Sequence, residues 1–134
     1  MAARRATLGM RICAALLGVA ALGDVWDIAS WMAGWNDEPY SILIIHSLLF
    51  IVATASAIGL WRARRWSIGA VVLWGVGTAA FIVGLGPILA LDQKARAGLW
   101  TGAAAVLVFA LVVAAYARKH VDGPAVAVPA PTKT

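Results

Sequence analysis

The sequence is poor in charge and nearly devoid of cysteine. Only 13% of its 134 residues are Asp, Glu, Lys or Arg, against about 25% in an average soluble domain. So few charges cannot clothe a water-facing surface, which argues against a soluble globular protein. Cys13 is the single cysteine, so an intrachain disulfide and any CxxC-type metal or redox site are excluded. There are two histidines, and His120 falls beyond the last apolar run. One chain therefore cannot supply two axial ligands to a buried haem. The sequence has no nucleophile elbow, no phosphate-binding glycine loop and no HExxH, so an enzyme is not expected. Period-two alternation of polar and apolar residues is also missing, which argues against strands.

What the chain does have is apolar length. Hydrophobic residues make up 63% of it, gathered into four runs at about 8–31, 41–61, 66–90 and 97–116. Each is long enough to cross a hydrocarbon layer of about 30 Å as a helix. A helix also satisfies its own backbone hydrogen bonds, which lipid cannot do. The connections are short and polar, including Asn36-Asp37-Glu38-Pro39 and Arg62-Ala63-Arg64-Arg65, and short connections make successive helices antiparallel neighbours. The expected fold is all-α: an integral membrane four-helix up-down bundle in one domain, 1–120. Residues 121–134 are expected to form a disordered Pro/Ala-rich cytoplasmic tail. The opening run has a second reading. An Arg-rich start, a short apolar core and Ala21-Leu22-Gly23 resemble a cleavable signal peptide.

The net charge of +5 reads as topology information rather than as a nucleic-acid footprint, because no separate basic domain exists to hold a duplex. Nine of the eleven basic residues fall on one side of the four spans: Arg4, Arg5, Arg11, Arg62, Arg64, Arg65, Arg118, Lys119 and Lys133. Lys94 and Arg96 fall on the other side, with Asp37, Glu38 and Asp92. The positive-inside rule then puts both termini in the cytoplasm, in a cytoplasmic (inner) membrane. Trp31, Trp35 and Trp100 would lie at the outer interface, and Trp61 and Trp66 at the inner one.

Two acids interrupt the first run. Measured from Arg11 at 1.5 Å per residue, Asp24 and Asp27 stand ~20 and ~24 Å along the helix, and Trp31 stands ~30 Å along it. Both acids thus fall inside the outer leaflet. A spacing of three residues puts them on one helix face. His46 in the second run lies ~9 Å below the outer surface, close in depth to Asp24. A charge so placed costs about 2.5–3.5 kcal/mol unless paired or hydrated. Asp24, Asp27 and His46 are therefore the candidate intramembrane polar cluster, suited to a proton or cation. The structural alternatives are that the first helix sits lower, with its acids among headgroups, or that Lys94 or Arg96 reaches down to pair with them. No cofactor is predicted. A pigment on His46, or a metal on the three residues, is only a minor option.

Small residues four apart allow helix backbones to approach closely. Candidate packing positions are Ala53 with Ala57, Ala55 with Gly59, Gly75 with Ala79, and Gly98 with Gly102. They serve packing inside one bundle or, alternatively, a subunit contact. Gly84-Leu85-Gly86-Pro87 should kink or end the third helix, since Pro87 removes an internal hydrogen bond.

The layout resembles two groups of small bacterial proteins. Ala57-Ile58-Gly59-Leu60-Trp61-Arg62, followed by a basic turn and Trp66, is similar to DoxX-like proteins. Four helices with an acid in the first resemble small multidrug-resistance transporters, although two aspartates near the outer end replace that family's single central glutamate. No diagnostic residue is shared, and no site is carried over. The expected function is a non-enzymatic accessory or assembly subunit of a larger cytoplasmic-membrane complex, with lipid and other membrane subunits, or a second copy, as partners and no nucleic acid. The alternative is a small ion- or proton-coupled carrier using Asp24, Asp27 and His46.

Overall fold

A computed structural model of the chain describes residues 6–35, 39–89 and 91–122. Arg4, Arg5, Asp37, Glu38 and Lys133, on which part of the charge argument rests, lie outside the described residues, as do Ala90 and the tail from 123 onward. The described residues form four helices: α1 (Leu8–Met32), α2 (Tyr40–Trp61), α3 (Trp66–Ile88) and α4 (Gln93–Asp122). All four are long and apolar enough to cross a membrane.

Helix ends are set by local hydrogen bonding. Thr7 caps α1, its Oγ1 accepting from the Met10 N–H at 3.3 Å. At the other end of α1, Gly34 N–H donates to Trp31 O and Trp35 N–H to Ser30 O, with Gly34 at φ +74°. This is a Schellman ending, in which glycine supplies the left-handed residue without steric cost. The end of α2 repeats it. Ala63 N–H donates to Leu60 O and Arg64 N–H to Gly59 O. Here the left-handed residue is Ala63, at φ +49°, where a Cβ costs about 1–2 kcal/mol. Pro87 stands one residue before the end of α3. The fourth helix begins four residues earlier than its apolar run, because Asp92 Oδ1 accepts the Ala95 N–H at 2.7 Å and caps it. It also runs six residues past Tyr116, because Ala117 and Val121 belong to the buried apolar cluster that includes Met10 and Ala14.

The helices alternate in direction. Consecutive pairs pack along their lengths, whereas α1 and α4 touch only slightly. That last contact lies at the end of the bundle carrying the N-terminus of α1 and the C-terminus of α4, called here the terminal end. There Thr7 Oγ1 and Tyr116 OH share a hydrogen bond of 3.3 Å, and the Tyr116 ring fills the space beside Gly9. The opposite, far end holds the α1–α2 and α3–α4 connections.

Side-chain size is sorted inside out. The buried positions are rich in Ala14, Ala21, Ala53, Ala79, Ala110 and Ala117. Large apolar side chains point outward, among them Leu8 (75% exposed), Trp26 (66%) and Leu73 (62%). Water would penalise that arrangement, whereas helices surrounded by lipid gain from it, since close backbone approach and not apolar burial holds them together. Two buried serine hydroxyls bond to nearby backbone: Ser56 donates to Val52 O one turn back in α2 at 2.7 Å, and Ser67 to Arg64 O in the connection before α3 at 2.6 Å.

The small-residue positions divide into two groups. Gly59 is buried where α2 meets α3, and a Cβ there would stand 2.5 Å from Ser67 Cβ. A Cβ on Gly75 would overlap Ala110 Cβ of α4. Ala53 and Ala79 are buried, and Ala57 packs at the edge of the same core. A Cβ added at Gly98 or Gly102 would meet nothing within 4 Å. No close neighbour among the described residues thus requires a glycine at either position. They lie on the far half of α4, beyond its slight contact with α1.

Two substitutions separate these groups. Gly75→Leu should destabilise the fold by about 1–3 kcal/mol through overpacking against Ala110. Gly102→Leu should stay within about 0.5 kcal/mol of the parent. Thermal unfolding in detergent micelles measures both, and equal losses would show that Gly75 is not a tight contact.

Candidate functional site

Asp24 stands eight residues before the end of α1, and His46 stands six residues into α2. At 1.5 Å per residue these are depths of about 12 and about 9 Å from the far end. Antiparallel packing of α1 on α2 therefore brings the two to one level. His46 Nδ1 and Asp24 Oδ1 are joined by a hydrogen bond of 2.9 Å. With Asp24 ionised, the imidazole N–H is the donor. Asp27, one turn further along the same face of α1, places Oδ2 3.6 Å from the same nitrogen. That is too long for a hydrogen bond but within ion-pair range. One donor atom from each residue lies within 4.8 Å of the other two.

Burial differs among the three. The side chains of His46 and Asp24 are 15% and 13% exposed, whereas that of Asp27 is 44% exposed. Asp24 and His46 thus form the inner pair, and Asp27 opens the cluster toward the surface. Phe81 of α3 packs against the imidazole, the ring planes nearly perpendicular and the centroids 5.0 Å apart. Ser30 Oγ donates to Asp27 O at 2.9 Å, an attachment within α1 itself. One turn before Phe81, the buried Thr78 Oγ1 has no hydrogen-bond partner. Thr78 follows Val71 and Trp74, both buried, on the inner stripe of α3.

Lys94 and Arg96 do not serve as ion-pair partners of the acids. Both are exposed, and Arg96 Nε instead donates to Leu91 O at 2.9 Å within its own connection. The reason is topological: α4 meets α1 only slightly, at the terminal end, whereas the acids face α2. Among the described residues, His46 is the ion-pair partner of both acids.

Sequence reasoning missed Phe81, whose ring packs against the imidazole; it carried no signal, because an aromatic in an apolar run is ordinary. A separate apolar groove of about 410 Å³ lies between α1 and α2 toward the terminal end, lined by Ala14, Ala15, Ala57, Ile58, Trp61 and Arg62. The Arg11 guanidinium sits 5.5 Å from the centroid of the Trp61 ring near it. The groove and the cluster share no residue.

Chemically, two carboxylates and an imidazole can hold a proton, or can coordinate a cation through two oxygens and one nitrogen. Comparison with known proteins returns no match: no family model, no curated protein and no solved structure is similar to the chain. The two resemblances in layout therefore give no family assignment. The class defined by the fold is a four-helix, all-α protein with helices able to span a membrane.

The unequal distances predict unequal coupling. In double-mutant cycles read by unfolding in detergent, Asp24→Asn with His46→Gln should show an interaction of about 0.5–2 kcal/mol, the range of hydrogen bonds between membrane helices. Asp27→Asn with His46→Gln should show less. The reverse order would mean that Asp27 is the principal partner of the imidazole.

Proposed function

We propose that the chain is a small multi-pass protein of the cytoplasmic membrane, with both termini on the cytoplasmic side, and that Asp24, Asp27 and His46 form the ion site of a proton- or cation-coupled carrier. The observation that carries this reading is the convergence of two carboxylates and an imidazole from two helices, each apolar enough to span a membrane. Ionisable groups inside a span are costly and are characteristically found on ion pathways and proton relays. Here no lysine or arginine among the described residues neutralises them, so a transported ion is the natural counter-charge. The distribution of Arg11, Arg62, Arg64, Arg65, Arg118 and Lys119 supports the orientation.

A second reading, a non-enzymatic accessory or assembly subunit, is favoured by one separate observation. Among the described residues, a Cβ added at Gly98 or Gly102 of α4 would meet nothing within 4 Å, and such small-residue surfaces suit contact with another membrane helix. In that case the chain should co-purify with other subunits from mild detergent, and Gly98→Leu should release them. A monodisperse lone chain from native membranes would count against it.

The carrier reading is tested in proteoliposomes holding an imposed pH gradient. Proton or cation flux should fall about tenfold or more with Asp24→Asn, in line with loss of a paired intramembrane charge. The Asp24→Asn/Asp27→Asn double variant should abolish flux. Undiminished flux in the folded double variant would rule out this mechanism.

A further inference from the structure

We infer that the cluster takes a divalent transition-metal cation of the zinc type, with Asp24, Asp27 and His46 as its three protein ligands; this rests on reading the cluster as the ion site of a carrier. The donors come from two helices and lie close together. His46 Nδ1 addresses both carboxylates, at 2.9 and 3.6 Å, and the three donor atoms lie within 4.8 Å of one another. Around a tetrahedral ion with bonds of about 2.1 Å, ligand atoms stand about 3.4 Å apart. The two distances from Nδ1, 2.9 and 3.6 Å, bracket that spacing, and Asp27 is the more exposed acid.

Donor chemistry selects the ion. Calcium and magnesium take all-oxygen shells with six or more ligands, so an imidazole at the focus disfavours them. Soft monovalent copper calls for thiolate or thioether ligands, and the cluster has neither. Zinc and its first-row neighbours accept imidazole together with carboxylate. Charge points the same way. Two ionised carboxylates and a neutral imidazole sum to −2, which a divalent ion cancels. A protonated His46 would leave one negative charge uncompensated in a low-dielectric setting, where unbalanced charge is expensive. Three protein ligands leave a fourth position open, the arrangement of an exchangeable site and not of a closed structural one. Asp27 provides the approach from the surface.

The ion and a proton compete for the same atoms. His46 Nδ1 and Asp24 Oδ1, which share a hydrogen bond in the empty cluster, are both ligands in the filled one. Metal binding therefore removes the proton from Nδ1. It goes to solvent when the imidazole is doubly protonated, and to Nε2 of the same ring when the imidazole is neutral. Metal and proton therefore exclude one another at these atoms.

The test uses the untagged full-length chain in lipid nanodiscs, titrated with Zn²⁺ by calorimetry and with Co²⁺ by visible absorption. One ion per chain is expected, with cobalt bands of four-coordinate intensity. Asp24→Asn should weaken binding by about 100-fold or more, and Asp27→Glu, which keeps the carboxylate, by no more than about tenfold. Should Asp24→Asn fail to fold, Asp27→Asn at the half-exposed position replaces it. Zn²⁺ binding to the parent no tighter than to a folded Asp24→Asn/Asp27→Asn variant would overturn the inference. If proteoliposome flux still required Asp24 in that event, the carrier reading would stand and only the metal would fall. Cluster-dependent Zn²⁺ binding without flux of any ion would sustain the metal site and remove the carrier.

Discussion

Close approach of helix backbones is the constraint on which the rest of this structure depends. Where α2 meets α3, and where α3 meets α4, a glycine removes the side chain on one side of the contact: Gly59 against Ser67 and Trp66, and Gly75 against Ala110. Large apolar side chains are thereby displaced to the outside. In water this would be a poor bargain, since the hydrophobic effect rewards the reverse. Among lipid tails there is little to gain from burying a leucine, and van der Waals contact between backbones decides which helices touch.

The polar cluster is a consequence of the same packing. Ala14, Leu17 and Ala21 of α1 and Ala53 and Leu60 of α2 are buried in one core, and seating α1 on α2 in antiparallel register brings Asp24 level with His46. The α3 contact then adds Phe81 against the imidazole. The Asp24 carboxylate bonds the ring at Nδ1, and the Phe81 ring packs against the imidazole nearly at right angles. One nitrogen thus stands near both acids, at 2.9 and 3.6 Å. The bundle is asymmetric around it. The slight α1–α4 contact includes the hydrogen bond at the terminal end, and Lys94 and Arg96, at the far end of α4, stay out of the cluster.

Much of this was legible in the sequence for a simple reason. Long apolar runs and the absence of charge within them decide helix number and approximate extent before any tertiary contact forms. Depth along a helix is also computable from residue count, so Asp24 and His46 could be matched in level once α1 and α2 were taken as antiparallel. Helix ends were less legible. The early start of α4 depends on one side-chain hydrogen bond from Asp92, and its late finish depends on burial of Ala117 and Val121; neither shows in an apolar run. The surroundings of Gly98 and Gly102 were not legible, because a four-residue spacing of small residues says that a helix can pack closely and not whether anything lies opposite.

The sequence by itself determined four apolar helices, their alternating direction, and two acids and one histidine placed within them, because hydrophobicity and helical rise are local properties. Only the tertiary structure decided which of those polar groups meet. It set Asp24 as the near partner and Asp27 as the outer one, chose His46 over Lys94 and Arg96 as their neighbour, and brought Phe81 to the ring. Those choices turn on rotation of each helix about its own axis and on which pairs pack along their full length, and both are settled by the fit of small residues between helices.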